Sequence, residues 1–123
     1  MKALPNNAPT NVAALDARDP VAGNASHAYG IQYGGPKDVC HIPFQHGPRG
    51  VVSSTPGVFD DDLLAIVQDR LEGFQSGSYA CIENAEALKA VQFAREALGQ
   101  RVARRIAQGV LGANATHTSE TKA

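Results

Sequence analysis

The sequence has no tryptophan, and its aromatic rings are four phenylalanines and three tyrosines. In a chain of 123 residues, with much of the 43% hydrophobic share in alanine, that scarcity means a thin core. The length is about one domain, and self-association is the natural supplement to a weak core. Cysteine is scarce as well. Cys40 and Cys81 lie in different segments with no CxxC, and read as free thiols of a reducing cytoplasm. No charge of one sign dominates. A net charge of −1 argues against a coat for DNA or RNA polymers and against an anionic membrane surface. No apolar run approaches the length of a membrane span, and the N-terminus has no apolar core of a signal peptide. The expected location is therefore the cytoplasm.

Catalytic signatures are missing too. There is no Walker pattern, no nucleophile elbow, and no defensible ordering of Ser, His and Asp. Cys40, His41 and His46 fit no zinc spacing and read as ordinary strand residues. Cys81, near a helix start, is more simply a buried structural thiol than an activated one. The expectation is a protein that is not an enzyme, with no catalytic residues, no metal and no cofactor.

What is present is concentrated between Asp60 and Val110. Asp60 reads as a helix N-cap, and Asp61 and Asp62 suit the positive end of the helix dipole. Leu63, Leu64, Val67, Leu71 and Phe74 recur at helical spacing, and Gly73 and Gly77 bracket the helix end. Ser78 is positioned to cap a second, longer helix. Its apolar face runs through Ile82, Ala85, Leu88, Val91, Leu98, Val102 and Ile106. The first helix is acidic and the end of the second is basic. At about 1.5 Å per residue the second helix outruns the first, so part of its apolar face needs a partner, most simply another copy.

Upstream, residues 27–33 and 39–45 alternate as strands around the turn signal Gly34-Gly35-Pro36-Lys37-Asp38. Pro43 places the second strand at an edge or bulge. Val51-Val52 is a candidate third strand. The expected fold is α+β: a small antiparallel β-sheet in the N-terminal half, then a two-helix hairpin, in a symmetric oligomer. Residues 1–26 are poor in large apolar side chains and read as a flexible arm, 27–111 as a single domain, and 112–123 as a flexible tail.

Three groups could bind a ligand. Arg101 and Arg105 share a helix face and could grip phosphate, or could simply be solvated or salt-bridged. Phe74 is either the last core residue of its stripe or a stacking platform for a base. Asn84 could read an adenine edge or be a satisfied polar residue near a helix start. Phe74 also belongs to a repeated F-Q-x-G, at Phe44–Gly47 and Phe74–Gly77, each an aromatic beside a glycine turn.

The stretch LLAIVQDRLEGFQSGSYACIENAEALKAVQFAREALGQRVARRIAQGV resembles a phage family whose pattern runs LLAIxxDRLxxFQxGPFxCxENAxAL, followed by a helix with spaced arginines. FQHGPRG matches the same family's FQxGP segment. The family is the anti-Thoeris sponges, with the combined anti-CBASS/anti-Thoeris hairpin domain. The resemblance covers about residues 42–111. It implies a non-catalytic protein that sequesters glycocyclic ADP-ribose, the signal of bacterial TIR-domain enzymes, with cyclic oligonucleotides of CBASS immunity held by some members at a separate site. It also implies dimers and often hexamers. By position, it places ligand contacts on Arg49, Phe74, Asn84, Arg101 and Arg105. Ser78 stands where the family often has Pro, and Ile82 where it often has Arg.

Asn84 and Arg101 are seventeen residues apart, roughly 25 Å along one helix, which is longer than a dinucleotide-sized ligand. If both bind one ligand, the pocket is shared: Phe74 and Asn84 from one protomer, Arg101 and Arg105 from its partner.

Overall fold

A computed structural model describes residues 1–108. The chain forms two compact units that divide between Val58 and Phe59. The first unit carries a four-stranded antiparallel sheet of β1 (Lys2–Leu4), β2 (Asn11–Ala14), β3 (Ala28–Gln32) and β4 (Val39–Pro43), in that spatial order. The second is a hairpin of α1 (Asp60–Gln75) and α2 (Ile82–Ala107). The α+β class, with sheet first and helices after, is as the periodicities indicate.

The β3–β4 hairpin follows from its turn. Asp38 closes it, accepting from the Gly35 amide at 2.9 Å while its backbone oxygen accepts from Tyr33 N. Gln32 then pairs with Val39, and Ala28 with Pro43. Pro43 lies at the end of an edge strand, where its missing donor costs nothing. Period-two alternation puts Leu4, Val12, Ala14, Tyr29, Ile31 and Ile42 on one sheet face. Ala14 is the buried apolar side chain of the described residues.

Residues 1–26 are not a loose arm. They supply β1, β2 and a 3-10 turn at Pro20–Ala22. Their order rests on backbone pairing and short polar side chains rather than on apolar burial, so composition misreads it. Asp16 accepts from His27 N and Ala28 N at 3.0 Å, and Ser26 Oγ donates to Asp16 O at 2.9 Å. Asp19 caps the 3-10 turn through Val21 N at 3.0 Å. The sheet unit begins at residue 1, and the helical unit follows it from Phe59. The tail at 112–123 lies outside the described residues.

Val51-Val52 is not a strand but the tip of a loop closed by pairing between His46 and Thr55. Without a neighbouring strand to use their β preference, both valines stay exposed.

In the hairpin, Phe59 rather than Asp60 occupies the N-cap position, and Asp62 accepts from its amide at 2.8 Å. Asp60, Asp61 and Asp62 fill the first turn, where the dipole favours them. α2 starts at Ile82, later than Ser78 suggested. Cys81 is its N-cap, its Sγ accepting from Asn84 N at 3.4 Å, so this thiol is exposed and capping rather than buried. Arg95 locks the two helices antiparallel. Its Nε and Nη2 meet both Asp61 oxygens at 2.8 and 3.2 Å, and Nη1 donates to Gln68 at 2.9 Å. Beyond Arg95, α2 continues twelve residues, about 18 Å, past the level of the α1 start.

Candidate functional site

Two sets of predicted site residues lie on the hairpin, at opposite ends of α2. The first surrounds the turn. Phe74, on the last turn of α1, has its ring centroid 6.2 Å from that of Tyr79, at 31°. The guanidinium of Arg70, one turn earlier, lies over the Phe74 ring at 5.3 Å. Asn84 donates from Nδ2 to the Tyr79 backbone oxygen at 3.3 Å, which orients its amide and leaves Oδ1 and a second Nδ2 proton for other partners. Gln75 accepts from Cys81 N at 3.0 Å, fixing the far side of the same turn. Phe74 and Asn84 thus each meet Tyr79, one through its ring and the other through its backbone oxygen, and Arg70 lies over Phe74; residue-type reasoning passed over Tyr79 and Arg70. The available signal was two aromatics five residues apart across a glycine turn.

The second set is the arginine end. Arg101, Arg104 and Arg105 lie within two turns of the α2 C-terminus, where cations suit the helix dipole. Burial pulls the Arg101 guanidinium below its ordinary range, and repulsion from Arg105 and Arg104 adds to this against a partial offset from Asp60. Arg104 Nε is buried without a hydrogen-bond partner among the described residues. Arg105 is buried, at 7% exposure. Such a clustered, partly desolvated positive charge is chemically suited to an anion. Arg95, six residues before Arg101 on α2, is committed to Asp61.

Arg49 belongs to the sheet unit. It lines a cavity of about 210 Å³ with Gln45, Gly50, Val51, Ser54 and Pro56, below the size of a typical ligand pocket. Gln45 holds this loop, donating to Gly47 O and accepting from Gly57 N, both at 3.2 Å. The two glutamines of the repeated F-Q-x-G therefore do the same job: each clamps a loop through backbone groups.

His27 lies just before β3. Its ring stacks on His46 at 4.0 Å, and His46 Nε2 lies 2.9 Å from Asp19 Oδ2. That hydrogen bond is the largest influence holding the Asp19 carboxyl below its ordinary range. Among the described residues no group of three or more His, Cys, Asp or Glu is arranged to hold a metal, and no helix is long and apolar enough to cross a membrane.

No family model matches the chain. A protein named Thoeris anti-defense 1, from Bacillus phage SBSphiJ7, is 38% identical to it over 71 residues. The matched stretch covers 58% of this chain and 49% of that protein, so the chain spans about half the length of the relative it matches.

Proposed function

We infer, from the membership of the anti-Thoeris family that this identity supports, that the chain is a non-catalytic sponge that binds and sequesters glycocyclic ADP-ribose. The observation that carries the reading is the hairpin turn. There the Phe74 ring and the oriented Asn84 amide both meet Tyr79, and the amide keeps Oδ1 and one Nδ2 proton to bond a base. At the other end of α2, the crowded charge of Arg101, Arg104 and Arg105 suits a pyrophosphate. Stacking holds the adenine, the arginines neutralise the phosphates, and no bond is broken.

The two ends are too far apart for one ligand in one chain. The sponge therefore works as a dimer, or as a hexamer built from three dimers. Each pocket takes Phe74 and Asn84 from one protomer and Arg101 and Arg105 from its partner. A second site for CBASS cyclic oligonucleotides would then be separate from these pockets. Inhibition follows from mass action, so the dissociation constant lies well below the signal concentration. Nanomolar binding corresponds to about −12 kcal/mol.

Recovery tests sequestration. The protein is mixed with glycocyclic ADP-ribose, denatured, and the freed small molecule assayed for activation of the Thoeris effector. Intact, active ligand is expected; a converted product would sink the sponge and favour a degrading enzyme. Uncovered apolar side chains on α2, Phe93 above all, favour a second reading, an oligomer with a purely structural or protein-binding role. Arg101→Ala separates the two, because unchanged nucleotide affinity would favour the structural role.

A further inference from the structure

We propose that Tyr79 and Arg70 complete the nucleotide site at the hairpin turn. In this arrangement Tyr79 is a second stacking plane for the purine held by Phe74, and Arg70 is the cation for the adjoining phosphate. This rests on the sponge reading and extends it to two residues that the reading does not use.

Tyr79 is 73% exposed, on a turn held by several hydrogen bonds. The Asn84 side chain holds its carbonyl, Ala80 N donates to Gly77 O at 3.3 Å, and the Gln75 side chain holds the Cys81 amide. An exposed aromatic on a pinned turn keeps its position without burying its own surface, which is a property of a stacking platform. The spacing to Phe74 agrees. Stacked bases repeat at about 3.4 Å, so a purine between two rings needs centroids about 7 Å apart. Phe74 and Tyr79 stand at 6.2 Å and open as a 31° wedge, so a small rotation of the Tyr79 side chain admits a flat heterocycle.

Arg70 is the complementary group. It lies over the Phe74 ring, and its guanidinium donors meet no acceptor among the described residues. Asp69 and Glu72 are its nearest acidic neighbours in sequence, but residues one and two apart do not face each other on a helix. Glu72 accepts instead from Gln68 Nε2, at 3.3 Å. A guanidinium held on an aromatic face with its fork unmatched is suited to a phosphate oxygen beside a stacked base. The ligand class that satisfies both groups is a purine nucleotide, here one adenosine-phosphate half of the cyclic signal.

The test is isothermal titration of the full chain with glycocyclic ADP-ribose, with far-UV dichroism confirming that each variant keeps its helices. Phe74→Ala is the control for the sponge reading. Tyr79→Ala is expected to weaken binding about 5- to 150-fold, the range for losing one stacked base. Tyr79→Leu, which keeps apolar bulk without a π face, is expected to weaken it similarly, and Tyr79→Phe to retain the parent affinity. Arg70→Gln is expected to lower affinity and flatten its dependence on salt. A variant with only Tyr79 remaining, through Tyr29→Phe and Tyr33→Phe, is expected to lose tyrosine emission on ligand uptake, a signal that a merely structural Tyr79 would not give. If Phe74→Ala loses the ligand while Tyr79→Leu and Arg70→Gln bind like the parent, this inference is overturned and the sponge stands. If the parent takes up no ligand, both fall.

Discussion

Gly57 shows how much of this chain is held by single residues in tight places. A Cβ there would collide with three backbone atoms of the neighbouring 43–45 segment: the Phe44 carbonyl carbon, the Pro43 oxygen and, at 2.6 Å, the Gln45 nitrogen. None of these is a side-chain tip that can swing away. Gly57→Ala is therefore expected to destabilise the sheet unit by about 1–3 kcal/mol, the cost of overpacking, read as a lower urea midpoint with the slope unchanged. The loop it closes also carries Arg49, so the variant should disturb any ligand contact made there. The residue types of the proposed site were visible in the sequence: Phe74 as a ring beside a glycine, Asn84 near a helix start, paired arginines late in α2. The clamps were not. Gln45 and Gln75 act on backbone groups that only the folded loops bring within reach, and no spacing rule marks them. Tyr79 and Arg70 were missed for a related reason, since their meaning lies in where they stand relative to Phe74.

At the scale of elements, the two helices and the β3–β4 hairpin were legible because each has a strong period and clear punctuation. β1 and β2 were not. With short strands and few large side chains, they look like disordered chain until a neighbouring strand pairs with them. Three carboxylates add side-chain ties between elements that backbone ladders and helix packing already join. Asp16 stitches β2 to β3, Asp19 anchors the 3-10 turn to His46, and Asp61 registers α1 on α2 through Arg95. All three carboxyls lie below the ordinary value of 3.8. The leading cause is the Ala28 amide for Asp16, the His46 hydrogen bond for Asp19 and the Arg95 hydrogen bond for Asp61. A carboxylate with a depressed folded-state pKa contributes stability that is fully present above its unfolded value and lost as pH falls through the folded one. Stability is thus expected to fall below pH 3.8. Asp61→Asn should lower the urea midpoint at pH 7, and its difference from the parent should shrink as the pH is taken below 3.8. A difference that stays constant across that window would mean the Asp61–Arg95 pair is not what registers the helices.

For the whole molecule, the decisive fact is how little a single chain buries. Neither helix buries an apolar side chain among its described residues, and Phe93 and Ile82 stand 74% and 72% exposed. They are eleven residues apart, three helical turns, so they lie on one side of α2. Val102 and Ile106 add a second exposed pair on the length of α2 that extends past α1. The low aromatic content predicts this shortage in general terms; which side chains stay uncovered depends on the Asp61–Arg95 register, which no period reveals. Burying a phenylalanine is worth about 1.5–3 kcal/mol, and in a two-fold dimer each substitution counts twice. Phe93→Asp is accordingly expected to weaken self-association by at least a hundredfold, seen by native mass spectrometry as a shift from an even-numbered oligomer toward the monomer. Because each proposed pocket needs Arg101 and Arg105 from a second copy, the same variant should lose glycocyclic ADP-ribose in step with the loss of oligomer, although it changes no residue of the site. A parent that is monomeric at micromolar concentration and still binds the ligand would break that link, and would require one chain to hold the signal with the turn alone.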